Sequence, residues 1–451
     1  MCYRECVMRR WRRASGFIGQ LLVGPVLSLA LAGAAAASDD FEREPINYSR
    51  AKPENRVSRL QERIDAGLVK PEFDRETGYA RWLLGELEVP LSSQVLVFSK
   101  TSLQRHRIGP KTPRALYFSD DVYVGYCRFG HVMEVSAVDP NLGTVFYTLD
   151  QETVDKPKFV RHTDTCLLCH ASSQTRGIPG HLVRSVYPDA GGDPILSSGS
   201  FRIDQTSPFE RRWGGWYVTG THGKMKHLGN LVVADKRPPE QVENLKGLNL
   251  TTLKDRCDTS AYLTPHSDIV ALMVLEHQTE MHNAITRANF QTRLALHNEA
   301  VLNKEIGRAA DYRSETTTRI IKSACDALVK YMLFSGEAPL TDPVQGTSAF
   351  TKEFAQFAPR DSKGRSLRDF DLTTRLFKHR CSYLIYSPAF DGLPGEAKEY
   401  ALRRLHDVLK GQAYSRDFDH LTTDDCRAIY EILVETKKDL PDYWRDDAKA
   451  P

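Results

Sequence analysis

Five consecutive residues, Cys166-Leu167-Leu168-Cys169-His170, constrain this chain more than any other stretch. Two thiols two residues apart with an imidazole directly after them form the attachment pattern of a c-type haem. Each thiol can make a thioether to one vinyl group of a porphyrin, and the histidine then sits beneath the ring as an iron ligand. With 9 Cys and 14 His among 451 residues, chance supplies only about 0.006 such pentapeptides, so accident explains the match poorly. Two other readings use the same atoms. His162, Cys166 and Cys169 could form part of a zinc site, although the chain offers no second CxxC to complete it. The two thiols could also be a redox dithiol or a disulfide.

The start of the chain bears on the compartment. Arg9, Arg10, Arg12 and Arg13 precede an apolar run from Leu21 to Leu31, and Ala35-Ala36-Ala37 offers a small-residue cleavage site. Residues 1–37 therefore read as a secretory signal peptide. The competing reading is a membrane anchor, but the apolar run is interrupted by Pro25 and is shorter than the ~20 residues a bilayer requires. The mature chain is expected to lack a membrane span and to lie in the periplasm or otherwise outside the cytoplasm. Removing the signal takes five Arg and one Glu from 61 basic and 58 acidic residues, leaving 56 against 57 and a net charge of −1. That balance gives no bulk attraction to nucleic acid or to a charged membrane surface.

The period of the apolar residues divides the remainder. Residues 38–90 are polar and then helical in pattern, with Val57, Leu60, Ile64 and Leu68 at three- and four-residue steps and Leu83, Leu84 and Leu87 suggesting a second short helix. From 91 to 235 the pattern turns to strands: Val95–Phe98, Leu116–Phe118, Val122–Val124 and Thr144–Tyr147 are β-branched and aromatic, with turn residues at Ser119-Asp120-Asp121 and Asp139-Pro140-Asn141. Within this region 150–230 is rich in Gly and Pro and carries the pentapeptide, Gly177-Ile178-Pro179-Gly180-His181, Trp213-Gly214-Gly215-Trp216 and Thr221–His227. Loops of that composition suit the wrapping of a flat cofactor, or else a turn-rich β segment whose Trp213 and Trp216 close a core. Residues 236–451 are mainly helical: Ser267 or Asp268 caps a run apolar nearly all round, and amphipathic helices are expected near 316–334, 367–386 and 397–409. The fold class is α+β, an antiparallel β-rich region bearing the haem site followed by a mainly helical region. The length favours two or three domains.

On its pentapeptide the chain resembles the c-type cytochromes, and the span 94–289 is more loosely similar to large monohaem cytochrome c-domain proteins of bacteria. The resemblance implies one covalent haem c, Cys166 and Cys169 as thioether donors, His170 as the proximal iron ligand, and attachment outside the cytoplasm, in accord with the export signal. Small cytochromes c are all-helical with a ligating Met downstream; a β-rich stretch before the motif and a long region after it depart from that plan.

The other side of the iron has two candidate sources. The Gly-rich loop offers His222 and His227 with Met225 between them, and Gly220 and Gly223 permit close approach to a flat ring. The apolar helix aligns Met273, His277 and Met281 on one face, where His277 is equally a core residue with a hydrogen-bond partner. A closed six-coordinate iron implies electron transfer with a redox partner protein; an exchangeable position implies a haem-dependent oxidoreductase acting on a small molecule. Of the remaining cysteines, Cys127 reads as a small buried hydrophobe. Cys257, Cys325, Cys381 and Cys426 are either two disulfides or buried thiols.

Overall fold

Strands rich in β-branched and aromatic residues build one antiparallel sheet of seven, in the order β6-β5-β4-β3-β2-β1-β9. The computed structural model describes residues 40–233, 238, 241–413 and 415–446; the expected signal peptide lies outside them. The strands are β1 (Val95–Val97), β2 (Arg114–Phe118), β3 (Val122–Cys127), β4 (Val132–Asp139), β5 (Gly143–Asp150) and β6 (Phe159–His162). Then come the pair β7 (Arg184–Val186) and β8 (Ser200–Arg202), followed by β9 (Trp216–Tyr217), β10 (Gly220–Thr221) and β11 (Gln345–Gly346). The helices are α1 (Arg56–Asp65), α2 (Ala80–Glu86), α3 (Leu167–His170), α4 (Ile269–Glu305), α5 (Glu315–Met332), α6 (Phe350–Gln356), α7 (Pro388–Asp391), α8 (Gly395–Leu409), α9 (Thr423–Thr436) and α10 (Tyr443–Asp446). The chain is α+β, with the antiparallel sheet in the first half and helices in the second.

Side chains alternate across a strand, so each residue set has its own face. Tyr117, Val122, Val124, Met133, Val135 and Tyr147 bury against α1 and α2. Phe118, Tyr123 and Val138 point the other way and bury against α4. The β2–β3 and β4–β5 turns fall at Asp120 and Pro140, as the sequence predicts. The described residues fall in one compact unit; position 90 lies between α2 and β1, and 235 lies outside the described residues.

Asp268 caps α4, its carboxylate accepting from the N–H groups of Val270 and Ala271. The helix runs for 37 residues, and its first part is buried on every side from Ile269 to Thr286. Two helical expectations fail. Leu68 leaves the α1 stripe, because Gly67 turns into the left-handed region at φ 71° and Leu68 ends 76% exposed. The segment 367–386 is mostly turns: Asp371 accepts from the backbone N–H groups of Thr373 and Thr374 and from both hydroxyls, the side-chain competition with helix that Asp makes available. Cys127, Cys257, Cys325 and Cys381 are buried free thiols, and Cys426 is a partly buried one. Among the described residues no helix is long and apolar enough to cross a membrane.

Candidate functional site

After β6 the chain leaves the sheet edge and winds one helical turn. The N–H groups of Leu167 and Leu168 donate to Asp164 O at 3.0 and 3.3 Å, and His170 N–H donates to Cys166 O at 3.0 Å. Leu167 is buried and anchors the turn, whereas Leu168 is 79% exposed. Cys166 is partly buried and Cys169 exposed, both as free thiols. Three- and four-residue steps share one side of a helix, so Cys166, Cys169 and His170 present together.

His170 is held twice by Gly180. Its Nδ1–H donates to Gly180 O at 2.9 Å, and its own carbonyl accepts from Gly180 N–H at 2.8 Å. Donation from Nδ1 fixes the tautomer and leaves Nε2 with a lone pair, the arrangement a metal-ligating imidazole needs. Burial lowers the His170 pKa, although the Gly180 carbonyl opposes the shift; the ring is therefore neutral at neutral pH. The Arg114–Glu134 ion pair, 2.9 Å apart on the same sheet face, acts on the ring with opposite signs.

Behind Gly180 stands α4. Asn283 Oδ1 accepts from His181 N–H at 3.0 Å and its Nδ2 donates to His181 O at 2.8 Å. A Cβ built on Gly180 would overlap the Asn283 side-chain oxygen, so glycine is required there by space. His181 is buried, with Nε2 bonded to Ser136 Oγ and Nδ1 to Thr144 Oγ1. The His170 ring lies 4.7 Å from Phe146, which leads through His181 (6.2 Å) to Tyr123 (3.9 Å) by centroid distances.

The residues present fit a covalently attached haem: two free thiols and an oriented neutral imidazole on one turn. The alternatives fit less well. Among the described residues no group of three or more His, Cys, Asp or Glu is placed to hold a metal ion, and His162 Nε2 is bonded to Thr148 Oγ1 at 2.9 Å. A redox dithiol works through a lowered thiol pKa, whereas burial, with Glu134 and Asp164 nearby, pushes Cys166 up to about 11.

The three expected distal histidines are not brought to His170. His222 and His227 lie together, ring centres 4.6 Å apart, beside Trp213. That corner belongs to the β9 end of the sheet, five strand spacings or ~24 Å along it from β5 at ~4.8 Å each. Nor is the loop free to swing. His222 N–H donates to Asn249 Oδ1, Asn249 N–H donates to His222 Nε2, and the Asn249 amide donates to Gly223 O. Trp213 and Trp216 are buried in the core, as the turn-rich reading of these loops expects. His277 is buried with both nitrogens used: Nδ1–H donates to Gln205 Oε1, and Nε2 accepts from Ser382 Oγ at 2.9 Å. Its neighbours Glu276 and Glu280 are tied to Arg212 and Arg202.

Sequence reasoning passes over Asn283, Phe146 and the clamp at Gly180. One signal was available: an otherwise apolar helix carries Glu276, His277, Gln278, Glu280, His282 and Asn283 in close succession, and buried polar groups require partners. No family model, no curated protein and no solved structure matches the chain.

Proposed function

We propose that this protein is a c-type cytochrome of the periplasm or another exported location, with one haem c held by Cys166 and Cys169 through thioethers and by His170 at the iron. Bound there, the haem supplies one-electron chemistry. The observation that carries the reading is the His170 Nδ1–Gly180 carbonyl hydrogen bond within a CxxCH turn, which presets the ligand nitrogen before any cofactor arrives. Gly180 and Asn283 hold that orientation, and the Arg114–Glu134 pair sets the local field. Exposure of Cys169 and Leu168 leaves this turn reachable by a redox partner protein.

A second reading, a haem-dependent oxidoreductase acting on a small molecule, is favoured by one observation: His222, His227 and His277 all lie away from His170. Mass spectrometry of protein matured in a haem-attaching periplasm tests the first step. One added haem that survives denaturation is expected, and an unmodified mass overturns the proposal. Carbon monoxide then separates the readings: a reduced protein that does not bind it is a carrier, and rapid binding makes it an oxidoreductase.

A further inference from the structure

A cleft of about 780 Å³ lies between α2, the β2–β3 turn and α6. Its volume is that of a small-molecule site. The walls are apolar and largely aromatic, with Leu84, Phe118, Phe350 and Phe354 facing inward. The floor is preformed: Gln278 donates to Ser119 O and Tyr123 Oη and accepts from Tyr383 Oη, so its amide has no unmet demand.

Two features point to an occupant. Phe357, also lining the cleft, is 74% exposed, an apolar surface that a bound ring would cover. The charges are the second. Glu88 is engaged by Arg56, Asp120 by Arg368, and Glu353 accepts from Ser92 Oγ. Arg81, exposed on α2, is the lining cation with no carboxylate within 4 Å among the described residues; Asp74 acts on it only from farther off.

We propose that this cleft binds an amphiphilic aromatic anion, its ring body seated on Phe118, Phe350 and Phe354 beneath Phe357, and its acidic group at Arg81. Aromatic walls favour a ring through stacked and edge contacts, and a guanidinium with no carboxylate in bonding contact favours a carboxylate or sulfonate. The site is independent of the haem reading, since no lining residue belongs to the CxxCH turn.

The test is calorimetric titration of the mature protein with anilinonaphthalene sulfonate and with its neutral analogue phenylnaphthylamine; calorimetry is indifferent to quenching by a haem. Gly85 lines the cleft, has no left-handed backbone, and a Cβ there meets nothing within 4 Å. Gly85→Trp therefore starts its side chain from open space at the cleft and should occlude it, and Gly85→Ala is its control. One saturable sulfonate site is expected, unchanged in Gly85→Ala and weakened by about ten-fold or more in Gly85→Trp. Arg81→Gln should weaken the sulfonate several-fold and leave the neutral probe unaffected. Absence of saturable binding, or unchanged binding in Gly85→Trp, overturns the site; equal loss of both probes in Arg81→Gln overturns the anion. Should Gly85→Trp fail to fold, Phe357→Ser replaces it, and unchanged binding there is equally fatal.

Discussion

Gly180→Ala is the perturbation whose size the structure sets most closely. Gly180 is not in the left-handed region, so alanine meets no backbone penalty; the obstacle is the overlap of its Cβ with Asn283 Oδ1. Displacing that amide strips partners from His181 N–H and C=O, both inside the protein. Each unmet buried group costs ~1–3 kcal/mol, and a loss of unfolded-chain entropy returns ~0.4–1 kcal/mol. The net destabilisation should be about 2 kcal/mol. Asn283→Ala alone should cost ~2–3 kcal/mol by the same count, toward the low end because a water can enter the vacated space. In the double variant the overlap is gone, so the alanine at 180 should cost almost nothing, and the two changes should couple by about 2 kcal/mol. Urea unfolding of the four proteins measures this, through midpoint shifts at constant slope. Additivity within ~0.5 kcal/mol would refute the clamp. In the haem-bearing protein the midpoint potential supplies a second readout: Gly180→Ala and Asn283→Ala should each move it, and the double variant should shift it no further than Asn283→Ala alone.

Glu276 makes stability depend on pH. Burial raises its carboxyl from the ordinary 4.5 to about 8, although Arg212 opposes the shift. Between those values the folded state holds a proton that the unfolded state has released, so stability should fall as pH rises from about 4.5 to about 8. Glu276→Gln should flatten that decline, and equal pH slopes in both proteins would show the reasoning to be wrong. His277→Ala removes the partner of Gln205 Oε1 and of the Ser382 hydroxyl proton and empties a site stacked on Phe334. A loss of ~3–5 kcal/mol is expected with the haem absorption unchanged; a lost low-spin spectrum would make His277 a ligand after all. Thiol counting on denatured haem-bearing protein should find Cys127, Cys257, Cys325, Cys381 and Cys426 all reactive, and a count of one would establish two disulfides.

How much of this was legible depends on whether the determinant is local. The α4 cap at Asp268, the β2–β3 turn and the strands at Val95 and Val122 follow from neighbouring residues, and the structure has them where the pattern put them. The pentapeptide was legible for the same reason. The segment 367–386 was misread because apolar spacing there resembles a helix while one carboxylate, Asp371, bonds the backbone into a turn. The distal candidates fail differently. Nearby glycines point to His222 and His227, and the alignment with Met273 and Met281 on one helix face points to His277, but their positions are set by distant partners: Asn249 for the first, Trp213 for the second, Gln205 and Ser382 for the third. The Gly180–Asn283 clamp is equally non-local, 103 residues apart in sequence, and no periodicity within either segment predicts it.

What does connect these places is the polar run of α4. Glu276 binds Arg212, His277 binds Gln205, Gln278 binds Tyr123, His282 donates to Asp120 O, and Asn283 clamps His181. Each bond fixes a different loop to one rigid rod, at steps of ~1.5 Å per residue. A helix buried by apolar contacts alone could slide or rotate among similar packings, whereas a set of unlike polar partners admits one register, because any shift leaves several buried groups unmet at ~1–3 kcal/mol each. The orientation of His170 thus comes from a helix that does not touch it: α4 fixes His181, the adjoining Gly180 carbonyl receives the Nδ1 proton, and the free nitrogen is aimed by exclusion.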